Sequence, residues 1–308
     1  MVELFKSRAD RAFFLTLLPF ALASAGILAV FISTLALGSL ESLSEYGLSL
    51  LSRNIWDPEN EVYGVLGPLI GTFATSLIGV AYSMVLSIPL AVFMSDYLKG
   101  VLREFFSSMV ELMGGMPTII YAVWGMNHLA PFMRDYVLAT LHSKLGFLPL
   151  FSCRPLTGSS LMTAGVAIGV SLVPYMTALI YESYRMVPEA LREACLGIGA
   201  TRYESTKLMI SLLKPAILAS ALLGLARGVG ETTIAVMTVG NSMYVGACLI
   251  GPGYTVSALI ASQYGNANLY RYAESVLQFS ALVILLTTLA LSSIGLVLMG
   301  KWRSRILV

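Results

Sequence analysis

The chain has 308 residues, of which 57% are hydrophobic and 12% charged, with a mean hydropathy of +0.80 and a formal net charge of +2. A composition this apolar excludes both a water-soluble globular domain and a disordered chain, and it points to an integral membrane protein with lipid against much of its surface. The small positive excess gives no reason to invoke nucleic acid.

A helix needs about 20 apolar residues to cross roughly 30 Å of hydrocarbon, because every backbone N–H and C=O must be satisfied within the segment. Residues 12–40, 62–95, 112–133, 155–181 and 275–300 contain no Asp, Glu, Lys or Arg, and residues 215–240 are interrupted only by Arg227 and Glu231. These six stretches predict an all-α, polytopic membrane protein with six transmembrane helices, a single domain over residues 1–308. The first run is too long, and lacks a small-residue cleavage site, for a removed signal peptide. Pro89 and Pro117 predict kinks within spans, and Gly114 and Gly115 predict close helix packing. Residues 232–270 also lack charge, but Gly251-Pro252-Gly253 and the polar run 263–268 break the pattern. That part reads as an irregular outer loop with one short helix.

Orientation follows from Lys and Arg, which the cytoplasmic side retains. With six crossings and the N-terminus inside, Lys6, Arg8, Arg11, Lys99, Arg103, Arg185, Arg192, Arg202, Lys207, Lys214, Lys301, Arg303 and Arg305 fall inside. Only Arg53, Arg134, Lys144, Arg154 and Arg271 fall outside. Both termini are therefore expected in the cytoplasm, with the chain in the cytoplasmic (plasma) membrane.

Cys195 is cytoplasmic in this topology. Cys153 and Cys248 share the outer side and would pair only with Cα atoms within about 7 Å; the role of isolated apolar fillers is favoured for them. His128 and His142 stand alone, no cluster has metal-ligand spacing, and neither a metal nor a cofactor is expected. Outer loops are expected at residues 41–61 and 128–154. The first carries Trp56, Asp57, Pro58, Glu59, Asn60, Tyr63 and Gly64, a turn among interfacial aromatics.

Residues 182–214 hold nine charges in 33 residues. Pro188 suits the first turn of a helix that residues 189–195 continue; Gly197 and Gly199 break it, and Thr201 with Glu204 forms a capping box for a second helix. A simple connection between crossings takes only a few residues, so a charged cytoplasmic hairpin of this length predicts a docking surface. The competing reading is a merely solvated helix face.

Glu193-Ala194-Cys195, followed after three residues by Gly199-Ala200, resembles the EAA loop of ATP-binding-cassette importer permeases, the coupling helix that sits in a groove of the ATPase subunit. Most such permeases carry a proline at a fixed distance after the glycine; here that position is Leu212, and the proline comes as Pro215. Gly224-Leu225-Ala226-Arg227-Gly228-Val229-Gly230-Glu231-Thr232 is similar to the signature of phosphate-specific permease subunits. Trp56, Pro58, Asn60, Tyr63, Gly64, Pro68, Gly71 and Thr72 look like that family's first outer loop and the start of its second helix. Residues 111–125, with Pro117, Tyr121 and Trp124, look like its third helix. The resemblance runs from Trp56 onward and is to PstC more than to PstA. It implies a type I importer permease (MetI-like) fold and translocation of inorganic phosphate by alternating access. It also implies partners: two ATP-binding subunits docked on Glu189, Arg192, Glu193, Ala194, Gly197, Gly199 and Ala200, a second, similar permease subunit, and an external phosphate-binding protein.

On one continuous helix, Arg227 and Glu231 would share a face and pair, easing the cost of an unpaired Arg at the bilayer centre, about 2.5–3.5 kcal/mol on insertion scales. At three- and four-residue spacing the same face carries Ser220, Gly224, Ala235 and Thr238, small and polar, unlike a lipid face. A guanidinium holds an oxyanion through two parallel hydrogen bonds, and Arg227 is the only basic residue in the six expected spans. Arg227, Glu231, Thr232, Ser220 and Thr238 are therefore candidate pathway residues. A neighbouring carboxylate repels a dianion, so contact is expected to be weak, with strong specificity left to the external binding protein. A buried ion pair that merely locks the helix is the bland alternative. Molybdate, tungstate or sulfate would suit the same arginine, and an ion-coupled carrier using Glu231 for the proton is a reading of a different class. No G-x-x-x-x-G-K-[ST] loop is present, so ATP hydrolysis falls to a separate subunit and the chain is expected to be a transport subunit, not an enzyme.

Overall fold

A computed structural model of the chain describes residues 8–243 and 248–306. Lys6 lies outside them, as do the side chains of Arg8 and Arg305. The main helices are α1 (Arg8–Gly38), α2 (Leu66–Asp96), α3 (Gly100–Gly115), α4 (Thr118–Leu145), α5 (Leu161–Arg185), α6 (Glu189–Gly197), α7 (Arg202–Leu212), α8 (Lys214–Val229), α9 (Thr233–Thr238), α10 (Val256–Gln263) and α11 (Ala273–Ile306). Four of them, α1, α2, α5 and α11, are each long and apolar enough to cross a membrane. Two bent pairs, α3 with α4 at 87° and α7 with α8 at 58°, bring the number of candidate spans to six.

The third crossing differs from the expected 112–133. Pro117 has no N–H to donate and disfavours a helical residue before it, so Met116 is extended (φ −66°, ψ 134°) and the apolar run is cut in two. The long piece begins at Thr118 and runs to Leu145 through two π-helical turns, Gly125–Leu129 and Met133–Leu138. His128, Arg134, His142 and Lys144 therefore lie on helix, and the loop before α5 covers only 146–160. Arg134 is partnered by Asp135 at 2.7 Å.

Gly114 and Gly115 do not make the close packing expected of them: a Cβ on Gly114 would meet only Pro174 at 3.7 Å, and one on Gly115 would meet nothing. The intimate contact is between α2 and α5. A Cβ on Gly165 would lie 2.7 Å from the Ile78 side chain, and one on Gly169 would lie 2.8 Å from the Gly79 carbonyl. In lipid, where apolar burial drives little, such close backbone approach supplies the dispersion contacts that hold helices together. Further along α5, Gly224 of α8 fits against Met176, where a Cβ would stand 2.8 Å from Sδ.

At one end of the bundle, residues 232–243 and 248–270 fold back over the 146–160 loop with two short helices, α9 and α10, instead of one, and a 3₁₀ turn at Tyr264–Leu269. Backbone bonds from Leu249 N to the Leu150 carbonyl and from Met162 N to the Leu249 carbonyl, both 2.9 Å, hold this return. It carries Cys248 to Cys153, and the two form a disulfide with Cα atoms 6.2 Å apart. Their role is thus covalent and not the apolar filling expected. Before α2, Asp57 and Val62 pair across a tight turn, and Tyr63 is fully buried with its hydroxyl donating to the Arg271 carbonyl at 2.7 Å. Burial pushes the Tyr63 phenol up to about 12. At the opposite end, α6 and α7 form the charged hairpin.

Candidate functional site

The hairpin forms as its sequence predicts, with one refinement. Pro188 opens α6 and Gly197 is still helical; the turn is made at Gly199, whose φ of +88° only glycine adopts without strain. Thr201 and Glu204 cap α7 reciprocally: the Thr201 hydroxyl accepts from Glu204 N at 3.3 Å, and the Glu204 carboxylate accepts from Thr201 N at 2.8 Å. Those bonds from Thr201, backbone first, hold the Glu204 carboxyl below its usual range.

Of the residues expected to dock a partner, Glu189, Glu193, Ala194, Gly197 and Gly199 are exposed and Ala200 is half-buried. Ile198 stands 87% exposed among them, an apolar side chain without cover in the isolated chain. Arg192 behaves differently. Its Nη1 lies 2.7 Å from Oδ1 of Asp96, an ion pair too far off line to count as a hydrogen bond. The guanidinium also sits 5.2 Å over the Tyr184 ring. The second Asp96 oxygen, Oδ2, accepts from the Tyr184 hydroxyl at 2.5 Å and from the Thr206 hydroxyl at 2.8 Å. Arg192 thus turns toward Asp96, with 32% of its side chain still exposed. Sequence reasoning missed Asp96, though a signal was there: a carboxylate on the last turn of a long helix opposes the macrodipole by roughly 0.3–1 kcal/mol and calls for a cation nearby.

The Arg227 segment is where sequence and structure part most clearly. Helix α8 stops at Val229; Gly230 to Thr232 break it, and α9 starts afresh at Thr233. The single face running from Ser220 to Thr238 therefore does not exist. Ser220 and Thr238 are fully buried, each hydroxyl bonded to the carbonyl four residues back, Ala216 at 2.9 Å and Ile234 at 2.6 Å. Neither lines an open surface. Glu231 does not pair with Arg227: its Oε1 accepts from Ile234 N at 3.3 Å, and its carbonyl accepts from Ser257 at 2.9 Å. Thr232 is exposed beside it.

Arg227 is exposed, with its guanidinium 4.9 Å over the Tyr175 ring of α5. Among the described residues no carboxylate and no hydrogen bond engages it. An aromatic ring contacts the face of a guanidinium and leaves its N–H edge free. The break is tied to α10 by the Ser257 hydroxyl, which donates to the Glu231 carbonyl at 2.9 Å; α10 is in turn tied to α2, Val256 N donating to Thr72 at 2.9 Å, and just before the break a Cβ on Gly228 would rest 3.4 Å from Ser76. The arrangement is a fixed cation beside an interrupted helix, facing away from the chain's own core.

This fold is that of a type I ATP-binding-cassette transporter permease. Solved structures of the inward-facing MetNI methionine ABC transporter match it with a TM-score of 0.54 at 18% identity, over 76% of this chain and 94% of that one. A likeness at that identity speaks for the fold alone. No family model matches the sequence. A relative from Methanocaldococcus jannaschii described as a probable phosphate transport system permease protein PstC is 38% identical over 272 residues, 87% of this chain and 86% of the relative. PstC proteins of Xylella fastidiosa and Mesorhizobium japonicum are 30% and 32% identical, covering 97% and 83% of the chain and 94% and 79% of their own lengths. The chain belongs to the PstC family of permease proteins, and it is a multi-pass membrane protein.

Proposed function

We propose that the chain is the permease subunit of an ATP-driven importer and carries inorganic phosphate by alternating access. The observation that carries this reading is Arg227, a cation set against Tyr175 beside a helix break, with no carboxylate paired to it among the described residues. A guanidinium edge left free is suited to two parallel hydrogen bonds with a tetrahedral oxyanion. Glu231 is occupied in bonding the start of α9, so its charge is partly satisfied there and repels an arriving dianion less than a free carboxylate would. Family membership supports phosphate as the cargo over sulfate, molybdate or tungstate, since the PstC relatives are named for phosphate transport.

In this reading the hairpin end faces the cytoplasm. The disulfide at the opposite end supports that orientation, because disulfides persist in oxidising compartments. The exposed Glu189, Glu193, Ala194, Ile198 and Gly199 then dock one of two ATP-binding subunits. A second permease subunit faces Arg227 to complete the path, and an external binding protein delivers phosphate. ATP closes the ATPase pair, the hairpins move with it, and the helices around the break switch which side is open.

The assembled complex, reconstituted in vesicles with its binding protein, is expected to hydrolyse ATP faster with phosphate and to accumulate labelled phosphate only with ATP. Uptake that persists without ATP would sink the importer reading, and uptake driven by sulfate or molybdate but not phosphate would change the cargo.

A further inference from the structure

We infer that Asp96 is a positioning residue that keys the coupling hairpin to the transmembrane core, so that displacement of α6 is passed directly to α2; this rests on the importer reading above. Asp96 is the last residue of α2, and its carboxylate gathers three other elements: Arg192 of α6 at 2.7 Å, Tyr184 of α5 at 2.5 Å and Thr206 of α7 at 2.8 Å. The carboxylate side chain is only 12% exposed, so its interactions are little screened. Beneath it lies an apolar cluster in which Cys195 of α6 packs with Tyr184, Met209 and Trp302, and the Trp302 indole N–H donates to the Leu212 carbonyl at 3.0 Å. The hairpin is thus seated on the core, with one polar key at its centre.

From Asp96 a rigid route leads to the helix break. The close α2–α5 contact at Gly79, Gly165 and Gly169 leaves those helices no slack to slide independently, and α2 touches the Arg227 segment where Ser76 meets Gly228. Packed backbones of this kind move as discrete bodies and transmit displacement. The key also divides the hairpin: Arg192 holds it from within, while Glu189, Glu193 and Ile198 remain free on the outside.

The test uses the full reconstituted complex with Asp96→Asn, which keeps an oxygen for Tyr184 and Thr206 but loses the ion pair. ATPase subunits should still co-purify, while phosphate taken up per ATP falls about tenfold. Arg192→Gln should lose as much, and the double variant no more than either alone; Asp96→Glu should recover part of the loss. A nitroxide on Tyr203→Cys, 72% exposed on α7 of the same hairpin and outside the proposed docking residues, should gain mobility in Asp96→Asn. An additive double variant, or an unchanged nitroxide spectrum, would overturn the inference. If the wild-type complex takes up no phosphate, the importer reading fails instead, and the nitroxide spectrum still decides whether Asp96 holds the hairpin.

Discussion

Arg192 on the hairpin and Arg227 beside the helix break are both set against a tyrosine ring, 5.2 Å from Tyr184 and 4.9 Å from Tyr175, yet they differ in what else surrounds them. Arg192 meets a carboxylate that two hydroxyls also bond, so its charge is consumed in holding four helices together. Arg227 has the ring and no carboxylate among the described residues, so its donors stay available. A basic residue within a motif is therefore not in itself a ligand site. In the proposed reading, what separates structural from functional use is whether the fold supplies the counter-charge or leaves it to a visitor.

The sharpest way to break this contrast is Arg227→Gln. Loss of a charge-assisted pair of bonds should cut phosphate uptake about a hundredfold while leaving complex assembly intact on size-exclusion chromatography. Uptake within about twofold of wild type would make the two arginines alike, both structural. Next in size is the roughly tenfold loss of coupling expected for Asp96→Asn. Smaller again is Tyr175→Ala, which should lower uptake about fivefold by releasing the guanidinium, whereas Tyr175→Phe keeps the ring and should stay near wild type. Equal losses in the two would assign the effect to the hydroxyl and not to the ring.

The smallest effects concern the hairpin's own frame. Thr201→Ala removes the α7 cap and should cost about 1 kcal/mol locally, read as faster amide exchange at residues 204 and 205. The Glu204 carboxyl is held below its usual 4.5 by bonds that favour its ionised form, so its contribution is present above that value and is lost as pH falls below it. Acidification should speed the same exchange, and Glu204→Gln should flatten the pH dependence.

The hairpin was legible because its signals are local: a proline that opens a helix, a glycine that reverses the chain, and a Thr and Glu three apart. The candidate pathway residues were legible only in part. Arg227 stands out by composition alone, but its supposed partner Glu231 and the companions Ser220 and Thr238 were drawn from an assumed continuous helix. The helix ends at Gly230, where Glu231 is tied through its carbonyl to Ser257 of α10, a contact from 26 residues away that spacing within one segment cannot foresee. The third crossing slipped for a different reason: hydropathy does not register that Pro117 forbids helix at Met116.

By itself, then, the sequence determined the class, the apolar stretches that can serve as spans, the hairpin and the outlying position of Arg227, since these depend on solvation and short-range backbone chemistry. Tertiary structure alone decided which charges are spent and which are left. Asp96 and Arg192 are far apart in sequence, as are Cys153 and Cys248, and Arg227 reaches its ring on another helix. Such pairings are set by how close-packed helices meet, and in a membrane that depends on small residues such as Gly79, Gly165 and Gly169, whose contacts appear only when the backbones are brought together.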